Sequence, residues 1–382
     1  MFYTSAYLKR RTDRKNKPWQ GALKYKDPET GEWQEVRKSF SDIEKRSDAQ
    51  VALNKWRAEK EEKAQLINYG KRMSTAIKGY LDDQLALNQI SIVTYQNSMR
   101  LAENSIFPLI GNLIFADATK FEIQELVNNL AKQYKPQTTR TIFAIVSKTY
   151  KDALRTGEVL RDPTKNVQLP RVIKDRINYL DENGRRKFIA LVSEDCSFYL
   201  ASMIAYYTGM RAGEICALQW NDIIFATNTI HVRNNAKEYK DKDGVIQIEI
   251  SHPKTFKSRT IPLLPQLKTI LLKVEEEKNP KAKDYVIDQR KPRLLCSNFQ
   301  KWAQRQGLIG EAGKAITMHG LRHTFATLGV QSGMDIKSLS SILGHANTAM
   351  TLDTYASDDE QAKHLAMNSL NRLFEEQEGS DF

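Results

Sequence analysis

The chain has 382 residues, with 58 Lys plus Arg against 46 Asp plus Glu and a formal net charge of +12. That length supports two or three domains with cores of their own, and the charge favours an anionic partner such as nucleic acid or an acidic membrane surface. No stretch approaches the roughly 20 apolar residues needed to span a bilayer, and MFYTSAYLKRR lacks a signal-peptide core, so a cytoplasmic protein without membrane contacts is expected. Cys196, Cys216 and Cys296 are odd in number, widely spaced and set among apolar residues. They read as buried free thiols, and no metal-ligand spacing accompanies them.

Residues 1 to about 65 form a first unit. Lys9, Arg10, Arg11, Arg14, Lys15, Lys17, Lys24 and Lys26 stand against one acid, Asp13, with Trp19 and Tyr25 among them. Gly21 to Lys26 and Trp33 to Phe40 alternate as strands around the turn Asp27 to Gly31, which predicts a β-hairpin with a basic face. A helix follows, with Ser47 to Gln50 as a capping box and Val51, Leu53 and Trp56 as its buried contacts. A small sheet backed by one helix can lay a strand face into a DNA groove. The basic residues named above, Trp19 included, are the candidate contacts. The competing reading is a solvated charged face.

Residues 72–165 read as all-helical. Met73, Ala76, Ile77, Tyr80 and Leu81 keep helical spacing, as do Ile123, Leu126, Val127 and Leu130 behind the cap pair Thr119 and Glu122. A further helix from about Thr138 carries a stripe from Ile142 to Leu154 and stops at Gly157. Residues 166–176, with Arg171, Lys174 and Arg176, read as a basic, proline-punctuated linker able to touch phosphates. Residues 177–382 are mixed. One helix ends at Thr208-Gly209-Met210 and Arg211 opens the next, which is taken to include Cys216, Leu218 and Trp220. Strands are expected at Thr229 to Arg233, Val245 to Ile250 and Ser258 to Leu263, the first two joined across Lys242-Asp243-Gly244, with Lys254 between the second and third. Helices then run to about Leu373, ahead of an acidic tail.

Met318 to Tyr355 concentrates three histidines, an arginine and a tyrosine. His319 and Arg322 are three apart and share a helix face, His345 follows the helix stop Leu343-Gly344, and Tyr355 comes ten residues later. His323 is expected on another side of that helix, and with His231 it is assigned to structure. Together with Arg211 and Lys254 these residues supply two guanidiniums, one ammonium, two imidazoles and a phenol, a set suited to a phosphodiester. Paired arginines can neutralise the non-bridging oxygens of a pentacoordinate transition state, so that neither metal nor cofactor is required. An imidazole with an ordinary pKa near 6.5 can take the proton of a phenol near 10, and a lysine can protonate the departing oxygen. Singly, each signal has a plainer explanation: an exposed ion pair, a structural histidine, a packed tyrosine.

In order, however, Thr208-Gly209-Met210-Arg211-Ala212-Gly213-Glu214-Ile215, Pro253-Lys254-Thr255, Ser258 to Leu263, His319-Gly320-Leu321-Arg322-His323, Leu343-Gly344-His345 and Tyr355 resemble the tyrosine recombinase family of phage and mobile-element integrases. The resemblance covers the whole chain. It implies a multidomain, mainly α fold with small β-sheets: an N-terminal three-stranded sheet plus helix at 1–65 binding arm-type DNA, a helical core-binding domain at 72–165, a linker at 166–176, and a mixed α+β catalytic domain at 177–382. It implies further that Arg211 and Arg322 clamp the scissile phosphate, Lys254 is the general acid, His319 assists proton transfer, His345 donates to the phosphate, and Tyr355 attacks to give a 3′-phosphotyrosyl intermediate. Glu214 fits an acidic position that supports the site. The implied partners are double-stranded DNA attachment sites of core and arm type, a homotetramer on DNA, and a host DNA-bending protein and excisionase. A chromosome-dimer resolvase, a type IB-like topoisomerase and a catalytically silent DNA-binding protein of the same fold are the alternatives.

Overall fold

The computed structural model describes residues 5–11, 19–26, 31–64, 70–173, 175–241, 243–251, 258–345 and 367. The chain divides into two compact units, Met1–Ile173 and Lys174–Phe382. Among the described residues no helix is long and apolar enough to cross a membrane.

The first unit opens with an antiparallel sheet of β1 (Ser5–Arg10), β2 (Trp19–Lys26) and β3 (Trp33–Phe40) in the order β1-β2-β3. The two-residue period sets Trp19, Leu23 and Tyr25 against Ala49, Leu53 and Trp56 of α1 (Arg46–Ala64). Helix α1 begins at Arg46, so Ser47 lies inside it and its hydroxyl meets Asp48 rather than capping the helix. Trp19 is a core residue, which corrects its place among the candidate DNA contacts. It is buried, its indole Nε1 donates to the Glu44 carbonyl at 3.1 Å, and the Arg10 guanidinium lies 5.9 Å from its ring. Lys24 and Lys26, on the other face, are exposed.

The remainder of this unit is helical: α2 (Met73–Ala86), α3 (Ile92–Leu101), a π turn at Ala102–Ile106, α4 (Phe107–Ile110), α5 (Lys120–Gln133) and α6 (Pro136–Thr156). Thr119 and Glu122 close the expected capping box on α5, and Gly157, at φ +79°, ends α6 in the left-handed region. The apolar stripes of α2, α5 and α6 form one core with Phe115 stacked on Tyr150 at 4.2 Å between ring centroids. Ile114 packs on the sheet-and-helix core and Asp117 pairs with Lys60, so the two parts of this unit touch. The chain after α6 stays packed. Val159 is buried, Val167 and Leu169 lie against the helical core, and Arg140 donates to the Pro170 carbonyl, so exposed linker begins only near Arg171.

The second unit contains α7 (Glu182–Leu191), α8 (Tyr199–Thr208), α9 (Ala212–Ala217), β4 (Ile223–Ile224), β5 (Thr229–Val232), β6 (Asn235–Lys240), β7 (Ile246–Ser251), β8 (Arg259–Pro262), α10 (Pro265–Lys278), α11 (Pro292–Arg305), α12 (Met318–Gln331) and α13 (Ile336–Leu343). Helix α8 is apolar on nearly every side and forms the centre of the core, with α12 packed along it. Phe198, Phe299 and Trp302 close one end, ring centroids 5.3 to 5.6 Å apart. The strands form two sheets, β4-β5-β8 and β6-β7. The turn expected to join the first two strands instead joins β6 to β7, a strand that the polar run Asn235 to Lys240 concealed, while β5 pairs with β8. Helix α9 stops at Ala217, and Trp220 follows in a short 3-10 turn. Of the cysteines, Cys216 is buried, and Cys196 and Cys296 are partly exposed.

Candidate active site

Three turns of chain, none adjacent in sequence, meet at the C-terminal end of α13. The first is the α8–α9 junction. Gly209 caps α8 at φ +65°, and a Cβ there would stand 2.6 Å from the Phe325 ring and 2.8 Å from Leu343, so only glycine permits the reversal. The next residues run extended into α9, with Arg211 as the residue before its first turn. Glu214, one turn in, accepts the Arg211 backbone N–H at 2.8 Å and its Nη1 at 3.1 Å. Arg211 keeps 40% of its side chain exposed, whereas that of Glu214 is only 3% exposed.

The second contribution comes from α12, which Thr317 caps by accepting the Gly320 N–H. His319 lies exposed at its start, and Arg322, one turn later, is 2% exposed. Arg322 donates from Nη1 to the Gly209 carbonyl at 2.8 Å and from Nη2 to the Leu343 carbonyl at 2.9 Å. Burying an unpaired guanidinium would cost several kcal/mol. These carbonyls make that burial tolerable and fix the fork in place.

The third is the end of α13 itself. Asp335 caps the start of the helix, and Gly344, at φ +67°, ends it. The last carbonyls of a helix have no partner within it and carry its negative dipole end. Here Arg259 Nε takes the Ile342 carbonyl at 2.7 Å, Arg322 takes Leu343, and Arg211 takes Leu343 and Gly344 at 3.4 and 3.2 Å. His345, the next residue, is thereby placed beside the arginines.

Arg211 and Arg259 share the one buried carboxylate of Glu214 while Arg322 is held by backbone carbonyls, which leaves an excess of positive charge. Burial alone would raise the Glu214 carboxyl, but the hydrogen bonds and charge of Arg259, with help from Arg211, hold it below the ordinary carboxylate value. The imidazoles respond in the opposite sense. Partial desolvation and the charges of Arg322 and Arg211 lower His319. His345 is pulled down to about 4 by burial, then by Arg322, Arg211, Arg259 and His319. His323 is likewise pulled down to about 4, by burial first and then by His319, Arg322 and His345. The pocket is therefore cationic with neutral histidines, an arrangement that attracts an anion and leaves imidazoles able to accept a proton.

Comparison with known proteins places this geometry in a family. Residues 178–362 match the phage integrase family. The chain carries a tyrosine recombinase domain. A tyrosine recombinase XerC-like protein of Caldanaerobacter subterraneus is 26% identical over 276 residues, covering 66% of this chain and 71% of that one. The transposase from transposon Tn916 of Enterococcus faecalis is 26% identical over 279 residues, covering 67% and 66%. In fold, the recombinase resembles the Tn1549 transposon integrase in complex with transposon right end DNA (TM-score 0.63, 20% identity, 77% of this chain and 99% of that chain). It also resembles a lambda integrase dimer bound to a COC′ core site (TM-score 0.61, 20% identity, 92% and 94%). It is a site-specific recombinase of the tyrosine type.

Of the expected site residues of the recombinase, Arg211, Glu214, His319, Arg322 and His345 come together. Lys254 and Tyr355 lie outside the described residues, as do Arg14, Lys15, Lys17 and Lys174. His252, His364, Leu365, Leu370 and Leu373 also lie outside the described residues, while Met367 is helical and exposed. Lys9 and Arg10 lie on β1, Lys24 and Lys26 on β2, and Arg11, Arg171 and Arg176 in irregular chain. His323 departs from expectation. Four residues after His319, it lies on the same flank of α12, the two rings 4.4 Å apart and edge to face. The i, i+4 spacing was the signal for this contact. Arg259 lies in the Ser258 to Leu263 stretch that carries the resemblance, but its role is missed by sequence reasoning, since nothing local marks a strand arginine as the partner of a glutamate 45 residues earlier.

Proposed function

We propose that the recombinase cleaves and rejoins double-stranded DNA through Tyr355, integrating and excising a mobile element. What carries this reading is the convergence of Arg211, Arg322, His319 and His345 on one helix end with a surplus of positive charge. A scissile phosphate enters beside the exposed part of Arg211. Arg211 and Arg322 stabilise charge on the non-bridging oxygens as the phosphorus becomes pentacoordinate. The Tyr355 hydroxyl attacks phosphorus, losing its proton with the assistance of His319, and the bond to the 5′-oxygen breaks as Lys254 protonates that oxygen. His345 donates to a non-bridging oxygen. The new phosphotyrosyl ester retains the energy of the old phosphodiester, so the 5′-hydroxyl of a partner strand can reverse the attack without ATP.

The same reading assigns residues 1–65 to arm-type DNA, 72–165 to core-type DNA, the linker that begins near Arg171 to phosphate contacts, and 177–382 to catalysis. Strand exchange between two duplexes needs four active sites, hence a tetramer on DNA, with a host DNA-bending protein and an excisionase as accessory factors. A chromosome-dimer resolvase is the second reading, favoured by the XerC-like relative. The N-terminal sheet and its helix favour the integrase, because a resolvase of that kind needs no arm-type contacts. The deciding experiment incubates the chain with nicked duplexes tiled across both ends of the DNA element that carries its gene. A covalent adduct that forms with the parent and vanishes in Tyr355→Phe, while DNA binding persists, is expected. Absence of any adduct would refute the catalytic reading.

A further inference from the structure

Arg259 is the first residue of β8 and pairs in register with Val232 of β5. Its side chain, 9% exposed, reaches away from that sheet to two other elements. Nη1 and Nη2 meet Glu214 Oε1 and Oε2 at 2.9 and 2.7 Å, a bidentate pair, and Nε meets the Ile342 carbonyl at 2.7 Å. Each Glu214 oxygen thus accepts one bond from Arg259 and one from Arg211; those from Arg259 come from the two ends of one guanidinium fork, whereas Arg211 supplies one from its backbone and one from its side chain.

We infer that Arg259 is a positioning residue for the recombinase reaction, neutralising Glu214 so that Arg211 keeps its charge for the phosphate, and fixing the α13 end that bears His345. This rests on the catalytic reading given above. A buried carboxylate needs a full cationic partner. If Arg211 were the sole partner of Glu214, its guanidinium would be drawn into that ion pair and its charge cancelled. With Arg259 bound through both oxygens, Glu214 still orients Arg211 but no longer neutralises it. The third bond, to Ile342, extends the same rigid fork to the turn at Gly344, where a Cβ would stand 2.7 Å from Arg259 Nη1. Lysine keeps the charge yet cannot present two parallel donors and a third at once.

The test compares the parent, Arg259→Lys, Arg259→Met, Glu214→Gln and the double variant Arg259→Met/Glu214→Gln. Single-turnover cleavage is measured on a nicked duplex that the parent cuts, with DNA affinity and thermal unfolding alongside. Cleavage should fall at least tenfold in both Arg259 variants while affinity changes less than threefold. The double variant should lose no more than the worse single, because the two residues act as one unit. Cleavage within threefold of the parent would overturn the inference. So would losses that multiply in the double variant, or that only track the unfolded fraction. A readout without DNA is the NMR titration of His345, which Arg322, Arg211, Arg259, His319 and His323 all face. In Arg259→Met its midpoint should move up from about 4, and an unmoved midpoint would count against the inference. If the parent itself forms no adduct, the catalytic reading fails, and the titration still decides whether Arg259 organises this turn.

Discussion

Arg322 and Glu214 are charged and buried, whereas His319, His323 and His345 occupy the same pocket without holding a proton at neutral pH. In the unfolded chain an imidazole titrates at about 6.5, but in the fold His323 and His345 resist protonation down to about 4. Between these values the unfolded chain binds protons that the folded chain refuses, so stability falls as pH falls through this window and is flat above it. Urea denaturation midpoints should therefore drop from pH 7 to pH 5, above the range in which most carboxylates titrate. The slope should flatten in His323→Asn and His345→Asn, and equal slopes in parent and variants would contradict the assignment. Polar chemistry of this kind is legible where motif residues adjoin one another, as in His319-Gly320-Leu321-Arg322. It is not legible for Arg259, whose role exists only once β8, α9 and α13 have met.

At the scale of elements, punctuation residues proved the most readable. Thr119 with Glu122, Gly157, Gly209 and Gly344 each mark a helix end through a local rule that the tertiary fold leaves intact. Strand pairing proved less so. Asn235 to Lys240 alternates Ala236 and Glu238 inward, and a buried glutamate bonded to the Arg293 N–H does not look like a core position in sequence. Trp19 misled in the opposite way, because a tryptophan among lysines suggests a nucleic-acid contact until the strand period places it under the sheet. Gly344 allows a direct experiment. Alanine there must adopt the left-handed region, at about 1–2 kcal/mol, and must displace Arg259. Gly344→Ala should lower stability by at least that amount and reduce single-turnover cleavage far more than the stability loss explains. Parent-like cleavage in a folded variant would show that the turn tolerates rearrangement.

Across the whole molecule, the surplus of positive charge is visible in the sequence, while the packing inside the first unit is not. Lys60 with Asp117, and Ile114 against the sheet-and-helix core, join parts that composition alone separates. Deleting residues 1–65 should remove a set of cations that neutralise DNA phosphates and abolish binding to secondary arm sites. The salt dependence of DNA binding should become shallower, by roughly 0.9 in log–log slope for each phosphate no longer neutralised, while core-site cleavage persists. Binding that stays unchanged on every segment of the attachment site would refute the arm assignment.

The three arginines that grip the end of α13 bear on how an anion is received. A guanidinium in water must shed and reorganise its hydration before it can bind phosphate closely. In this pocket the Gly209, Ile342, Leu343 and Gly344 carbonyls already stand in for part of that hydration shell, as dipoles fixed by the backbone. The reorganisation that solvent would otherwise undergo during the reaction has thus been completed during folding. An incoming phosphodiester meets cations whose orientation was settled before it arrived.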